Sequence, residues 1–194
     1  MSDFKSKCRD SSGFTLVEIA IVMVIIGLLV GGVLKGQEMI KNAKVKRIVK
    51  IADEMRAAVY TYQDRFGYLP GDDPLAPTHT GDGAVRDGNG NGHIDAAEDE
   101  HLFEHLATVG LISGSASIYA GGDFPAHPLG GTYYIQYLTR DGKSSNWIVY
   151  SDIPVPEARS IDASLDDGTY NSGSIRADGN YNSNDNTRTI YIDL

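Results

Sequence analysis

The chain has 194 residues, a net charge of −9 and a single cysteine. That length suits one globular domain plus an appended segment, and one cysteine excludes a disulfide framework within the chain. Residues 66–194 carry nineteen Asp and Glu against six Lys and Arg, which argues against a nucleic-acid-binding head, whereas residues 1–65 are net positive.

The first element is the run "GFTLVEIAIVMVIIGLLVGGVL", residues 13–34. From Phe14 to Leu34 it forms a helix of about 31 Å, the thickness of a bilayer's hydrocarbon core. A secretory signal has a shorter apolar stretch of roughly 7–15 residues, and a buried core helix in so small a domain rarely stays apolar on every face. The one charge inside the run is Glu18. A carboxylate there costs about 2.5–3.5 kcal/mol. With no Lys or Arg within helical reach, its partner has to come from elsewhere.

Beyond Leu34 the pattern turns amphipathic without a break: Ile40, Ala43, Ile48, Ile51, Met55, Ala58, Val59, Tyr62 and Phe66 recur three and four apart. The spacing predicts one helix over 14–66, ended by Gly67 and Pro70. Residues 67–98, rich in Gly, Asp, Pro and Asn, read as loop. A short helix follows around Leu102, Phe103, Leu106 and Ala107, stopping near Gly110. "GGTYYIQYLTRDGKSSNWIVYSDI" reads as two strands about an Asp-Gly turn. "PVPEARSIDASLDDG" suggests a helix with Pro156 in its first turn, and "TRTIYIDL" a last strand. The expected fold is therefore α+β: a long N-terminal helix, membrane-spanning in its first half, packed on a small antiparallel sheet with loop-rich regions.

One loop carries chemistry. "DGNGNGHIDAAE", residues 87–98, places Asp87, Asn89 and Asn91 at positions 1, 3 and 5 of a twelve-residue calcium loop. Gly92 makes the sharp turn at 6, His93 offers its carbonyl at 7, Asp95 stands at 9 and Glu98 at 12. Ca²⁺ needs six to eight oxygens, and this spacing wraps them around one point. No entering helix precedes Asp87, so the expectation is an EF-hand-like loop with a structural ion, bound in the roughly 10⁻⁴–10⁻³ M range of extracellular modules, not a sensor that opens a groove. A second turn, "DGNYNSNDN", offers Asp178, Asn180, Asn182 and Asp185 to an ion in another geometry, but Ser183 stands where the glycine belongs and a solvated turn is the default reading. "HLFEH" matches the H-x-x-E-H pattern of some zinc peptidases, with His101, Glu104 and His105 on one helical face. Without an evident third ligand it reads as ordinary helix histidines.

Together, "GFTLVE" after a short leader with Lys5, Lys7 and Arg9, and the uninterrupted apolar run behind it, resemble the processing site of type IV pilins and type II secretion pseudopilins. The stretches "TYQDRFGYLPGDDP", "HLATVGLISG" and "IDASLDDGTYNSGSIRA" extend the resemblance less specifically. It implies a leader, 1–13, cut after Gly13 by a prepilin peptidase, N-methylation of Phe14, and Glu18 pairing with the N-terminus of an adjacent subunit. It further implies a filament core or membrane segment at 14–34, an amphipathic half at 35–66 and a head at 67–194. The partners implied are other pilin or pseudopilin subunits in a homo- or hetero-filament and an inner-membrane assembly platform, with no nucleic acid and no enzymatic activity. The subunit is expected as a single-pass protein of the bacterial inner membrane with its head in the periplasm, or outside the cell in a true pilus. The resemblance often brings a proline about twenty-two residues into the mature chain, where this sequence has Lys35. Six basic residues after the span against three before it would by charge alone favour the opposite orientation. Alternative readings are a minor pilin acting as a binding module in DNA uptake or adhesion, and a tethered zinc peptidase using "HLFEH".

Overall fold

The computed structural model describes residues 13–114, 119 and 124–194. The leader, apart from Gly13, lies outside the described residues. The chain divides into two compact units, 1–41 and 42–194. Helix α1 (Leu16–Phe66) is unbroken over 51 residues, Gly27, Gly31 and Gly32 included. It starts two residues later than the apolar pattern predicts.

In the first unit residues 13–35 are all exposed. The most apolar window of α1 has a mean hydropathy of 2.7 with none of its residues buried, making it the one helix among the described residues long and apolar enough to cross a membrane. A helix apolar on every side finds no satisfied state in water.

The second unit is built where α1 acquires a one-sided stripe. Ile48, Ile51, Ala52, Met55, Ala58, Val59 and Tyr62 are buried, whereas Ile40 and Ala43, expected on the same stripe, are exposed. The stripe meets Ile135, Ile148, Tyr150, Ile190, Ile192 and Ile175 from one face of a four-stranded sheet. Each such side chain contributes about 1.5–3 kcal/mol when fully buried. Gly67, at φ 82°, accepts the left-handed conformation that ends α1.

The sheet comprises β1 (Tyr133–Arg140), β2 (Lys143–Pro154), β3 (Ile175–Ala177) and β4 (Thr187–Asp193). Their order is β1-β2-β4-β3, and every pair is antiparallel. Asp141 and Gly142, both with positive φ, form the expected two-residue turn between β1 and β2. Alternation sends Trp147, Val149 and Tyr191 to the opposite face. There Arg140 lies 4.0 Å over the Tyr191 ring. Strand β3 was not expected from the sequence, because three residues show no period of their own and exist as strand only through pairing with β4.

Two more helices match expectation: α3 (Asp99–Thr108), after which the chain turns at Gly110, and α4 (Val155–Leu165), with a proline in its first turn. Helix α2 (Ala76–Thr80) is a single turn within the stretch expected to be loop. The fold is thus α+β and pilin-like, as the resemblance implied.

Candidate functional site

Four places carry the residues singled out above. At the first, Thr15 precedes α1 and Glu18 sits in its first turn. The Thr15 N–H and hydroxyl both donate to Glu18 Oε2, at 2.8 and 2.9 Å, and the Glu18 N–H donates to Thr15 Oγ1 at 3.2 Å. This is a capping box, satisfying two of the donors that a helix start leaves open. The carboxylate expected to lack any local partner therefore has one in its own chain. The T-x-x-E spacing carried that signal, and the reading that looked only for a cation missed it. Phe14, 84% exposed, and Gly13 stand just before the box.

The second place is the loop at 87–98. Glu98 closes it from the end: Oε1 accepts the Asn89 N–H and Oε2 the Asp95 N–H, at 2.9 and 3.0 Å. The amides of Asn89 and Asn91 both donate to Asp95 Oδ2, at 3.1 and 3.0 Å, while Asn91 Oδ1 accepts the His93 N–H at 2.7 Å. Burial pushes the Glu98 carboxyl above its ordinary range; the two N–H bonds pull it back, and the carboxylates of Asp72 and Asp95 push it further up.

Ile94 anchors the loop to the sheet. Its side chain is fully buried, its carbonyl accepts the Tyr137 N–H of β1 at 2.7 Å, and its N–H donates to Asn146 Oδ1 at 3.0 Å. The edge strand β1 thereby gains a partner along part of its open side. The His93 ring lies 3.8 Å from that of Tyr137.

Asn89, Asn91, Asp95 and Glu98 are thus brought together as the spacing required. Asp87 is exposed and makes no hydrogen bond or ion pair with them or with any other described residue. Asp72, which no spacing rule pointed to, takes part instead, accepting the N–H groups of Asn91 and Gly92 at 2.9 and 2.7 Å. Its neighbour Asp73 accepts the Tyr62 hydroxyl at 2.8 Å, the Leu75 N–H at 2.9 Å and pairs with His79 at 2.7 Å.

At the second oxygen-rich turn a tethered cation occupies the middle. The Arg188 guanidinium lies 2.7 Å from Asp185 and 3.8 Å from Asp178. It donates to the Asn180 carbonyl at 3.0 and 3.3 Å and to the Ser183 hydroxyl, while the Asn182 N–H is held by Asn180 Oδ1. The oxygens counted toward an ion are engaged by an arginine that the sequence places a few residues on.

Another acidic group, Asp162, Asp166 and Asp167, has carboxylate oxygens within 4.8 Å of one another. Each already caps main chain: Asp162 holds Gly168, Asp166 holds Ser174 and Ile175, and Asp167 holds Thr169. In "HLFEH", His105 and Glu104 are engaged within the fold, whereas the buried Nδ1 of His101 has no hydrogen-bond partner among the described residues. Fully buried His105 accepts the Gly71 N–H at Nδ1, 2.9 Å, and faces the Arg86 carbonyl through Nε2, 2.7 Å, so no lone pair remains for zinc. Burial holds it neutral by pushing its pKa down. Glu104 pairs with Arg86 at 3.0 Å.

Residues 8–34 match the family described as "Prokaryotic N-terminal methylation motif". No curated protein and no solved structure matches the chain. The N-terminal segment therefore carries the hallmark of type IV pilin and pseudopilin precursors. With the apolar helix behind it, this fits anchoring in the inner membrane before assembly.

Proposed function

We infer that this chain is a non-enzymatic subunit of a type IV pilus-like or type II secretion pseudopilus filament. A prepilin peptidase cuts it after Gly13, Phe14 is methylated, and an inner-membrane platform assembles it through the helix at 14–34. The observation that carries this reading is the methylation motif running directly into a helix start whose apolar residues are exposed on every side. Lipid satisfies that surface before assembly; the same segments of neighbouring subunits satisfy it afterwards. Mass spectrometry of protein purified from its native host should find residues 1–13 missing and one methyl group on the Phe14 amine. An intact Met1 would end this reading.

The head is oriented to the periplasm, and the loop at 87–98 binds one structural Ca²⁺. What supports this is the convergence of Asn89, Asn91, Asp95 and Glu98 on each other, held by a hydrogen-bond network that an ion can replace. At a dissociation constant of roughly 10⁻⁴–10⁻³ M, 10 mM calcium adds about 1.4–2.7 kcal/mol, which for a domain of this size raises Tm by about 3–11 °C. Melting with calcium against melting with chelator measures it. Identical curves would remove the ion from the function.

A further inference from the structure

The loop's first ligand is displaced from where the twelve-residue pattern puts it. We propose that Asp72, and not Asp87, supplies the first carboxylate of the cation site, so that a hard divalent cation such as Ca²⁺ is held by Asp72, Asn89, Asn91, Asp95, Glu98 and the His93 carbonyl. This rests on the calcium reading above and assigns its ligands.

The geometry begins at the sharp turn. Asp72 Oδ1 takes the N–H of the loop's fifth residue, Asn91, and Oδ2 that of its sixth, Gly92. The carboxylate is therefore fixed against the bend around which the other ligands wrap. Each oxygen uses one lone pair on an N–H and keeps the other. Hydrogen bonds then run from Asp72 through Asn91 to Asp95, and from Asp95 through its own N–H and through Asn89 to Glu98. Asp87 stands outside this chain of contacts.

Burial supplies an independent reason for a cation. Asp72 is 1% exposed and Glu98 4%, and neither is paired with a Lys, Arg or His among the described residues. Of the other buried carboxylates nearby, Asp73 faces His79 and Glu104 faces Arg86, whereas Asp99 has no such partner among the described residues. Two buried like charges without a counter-charge are held at a cost that a divalent ion between them removes.

The missing entering helix is explained as well. The start of the loop is zipped to the 71–73 turn, with the Gly88 N–H on the Asp73 carbonyl at 2.8 Å and the Gly90 N–H on the Asp72 carbonyl at 2.9 Å. A Cβ at Gly88 would come within 2.2 Å of the Gly71 carbonyl oxygen, so only glycine permits this approach. The turn delivers a carboxylate from outside the loop, in place of the helix that would otherwise aim the one at position 1.

The test is calcium titration of the full chain in detergent micelles by calorimetry, for wild type, Asp72→Asn and Asp87→Asn. Asp72→Asn should weaken binding at least tenfold, and Asp87→Asn by less than threefold. If wild type takes up no calcium, the underlying reading has failed, and this assignment with it. If wild type binds and Asp87→Asn loses as much as Asp72→Asn, or more, the assignment is overturned while the calcium loop stands. Should Asp72→Asn not fold, side-chain carboxyl ¹³C shifts of wild type decide: on adding calcium the Asp72 resonance should move and that of Asp87 stay, and the reverse pattern overturns the proposal.

Discussion

Glu18→Gln should reduce incorporation into filaments at least tenfold, as Glu18→Ala should, while the melting of the head is unchanged in both. The pair separates the helix cap that the structure shows for this side chain from the inter-subunit pairing proposed for it. At the N3 position of a capping box, Glu18 receives the Thr15 N–H, and glutamine serves that position nearly as well. As the counter-charge of a neighbouring subunit's new N-terminus, only the carboxylate serves. A lone ammonium within hydrocarbon surroundings costs on the order of 2.5–3.5 kcal/mol; recovering even 2 kcal/mol through pairing amounts to about thirtyfold in an equilibrium. Thr15→Ala tests the cap alone and should cost about 1 kcal/mol in helix stability, with filaments still forming. Counting tagged subunits in sheared filaments against those left in membranes measures all three. If Glu18→Gln assembles as wild type does, Glu18 is a helix cap and the inter-subunit pairing is wrong.

The contrast between these residues and those of the loop shows what a sequence makes legible. Apolar period and turn chemistry act locally, so α1, the β1–β2 hairpin with its Asp-Gly turn, α3, α4 and the last strand could be placed from the chain alone. The motif at 13–18 was equally local, and the family match covers it. What escaped was set by tertiary pairing. β3 exists because β4 lies beside it. Ile40 and Ala43 keep the stripe's spacing, yet the head's core takes up α1 only from Val45 onward. Asp72, which holds the bend of the loop, lies fifteen residues before Asp87, a separation that no loop pattern spans, and Arg188 reaches back into a turn whose residues by themselves suggested an ion. Asn89, Asn91, Asp95 and Glu98 meet because successive positions of a tight loop converge by geometry alone. The loop's first member fails that logic, since without an entering helix nothing local aims it inward.

Asp73 should prove the most costly single carboxylate of the head to lose: Asp73→Ala is expected to destabilise it by about 3–5 kcal/mol. The residue has no exposure at all. Its carboxylate receives three donors at once, the Tyr62 hydroxyl from α1, the Leu75 N–H and His79. Removing it leaves each of them without its acceptor. An unpaired buried donor costs about 1–3 kcal/mol, which applies in full to the buried Tyr62 hydroxyl and less to His79, a quarter exposed and stacked 5.3 Å from the Phe66 ring. Tyr62→Phe removes only one donor and leaves the carboxylate two others, so it should cost about 1 kcal/mol. Burial, reinforced by the bond to Asp73, pushes the Tyr62 phenol far above its ordinary pKa, so the hydroxyl stays a donor at every pH the head survives. Urea unfolding followed by near-ultraviolet circular dichroism gives both values. An Asp73→Ala head within 1 kcal/mol of wild type would mean that the three donors find water or one another. The two substitutions also differ downstream. The Asp73 carbonyl holds the Gly88 N–H, and Asp72 beside it holds the bend of the loop, so displacing this turn should weaken calcium uptake. Tyr62→Phe leaves the turn in place and should not. The residue that ties α1 to the 71–75 turn is therefore the one through which the long helix and the loop share their stability.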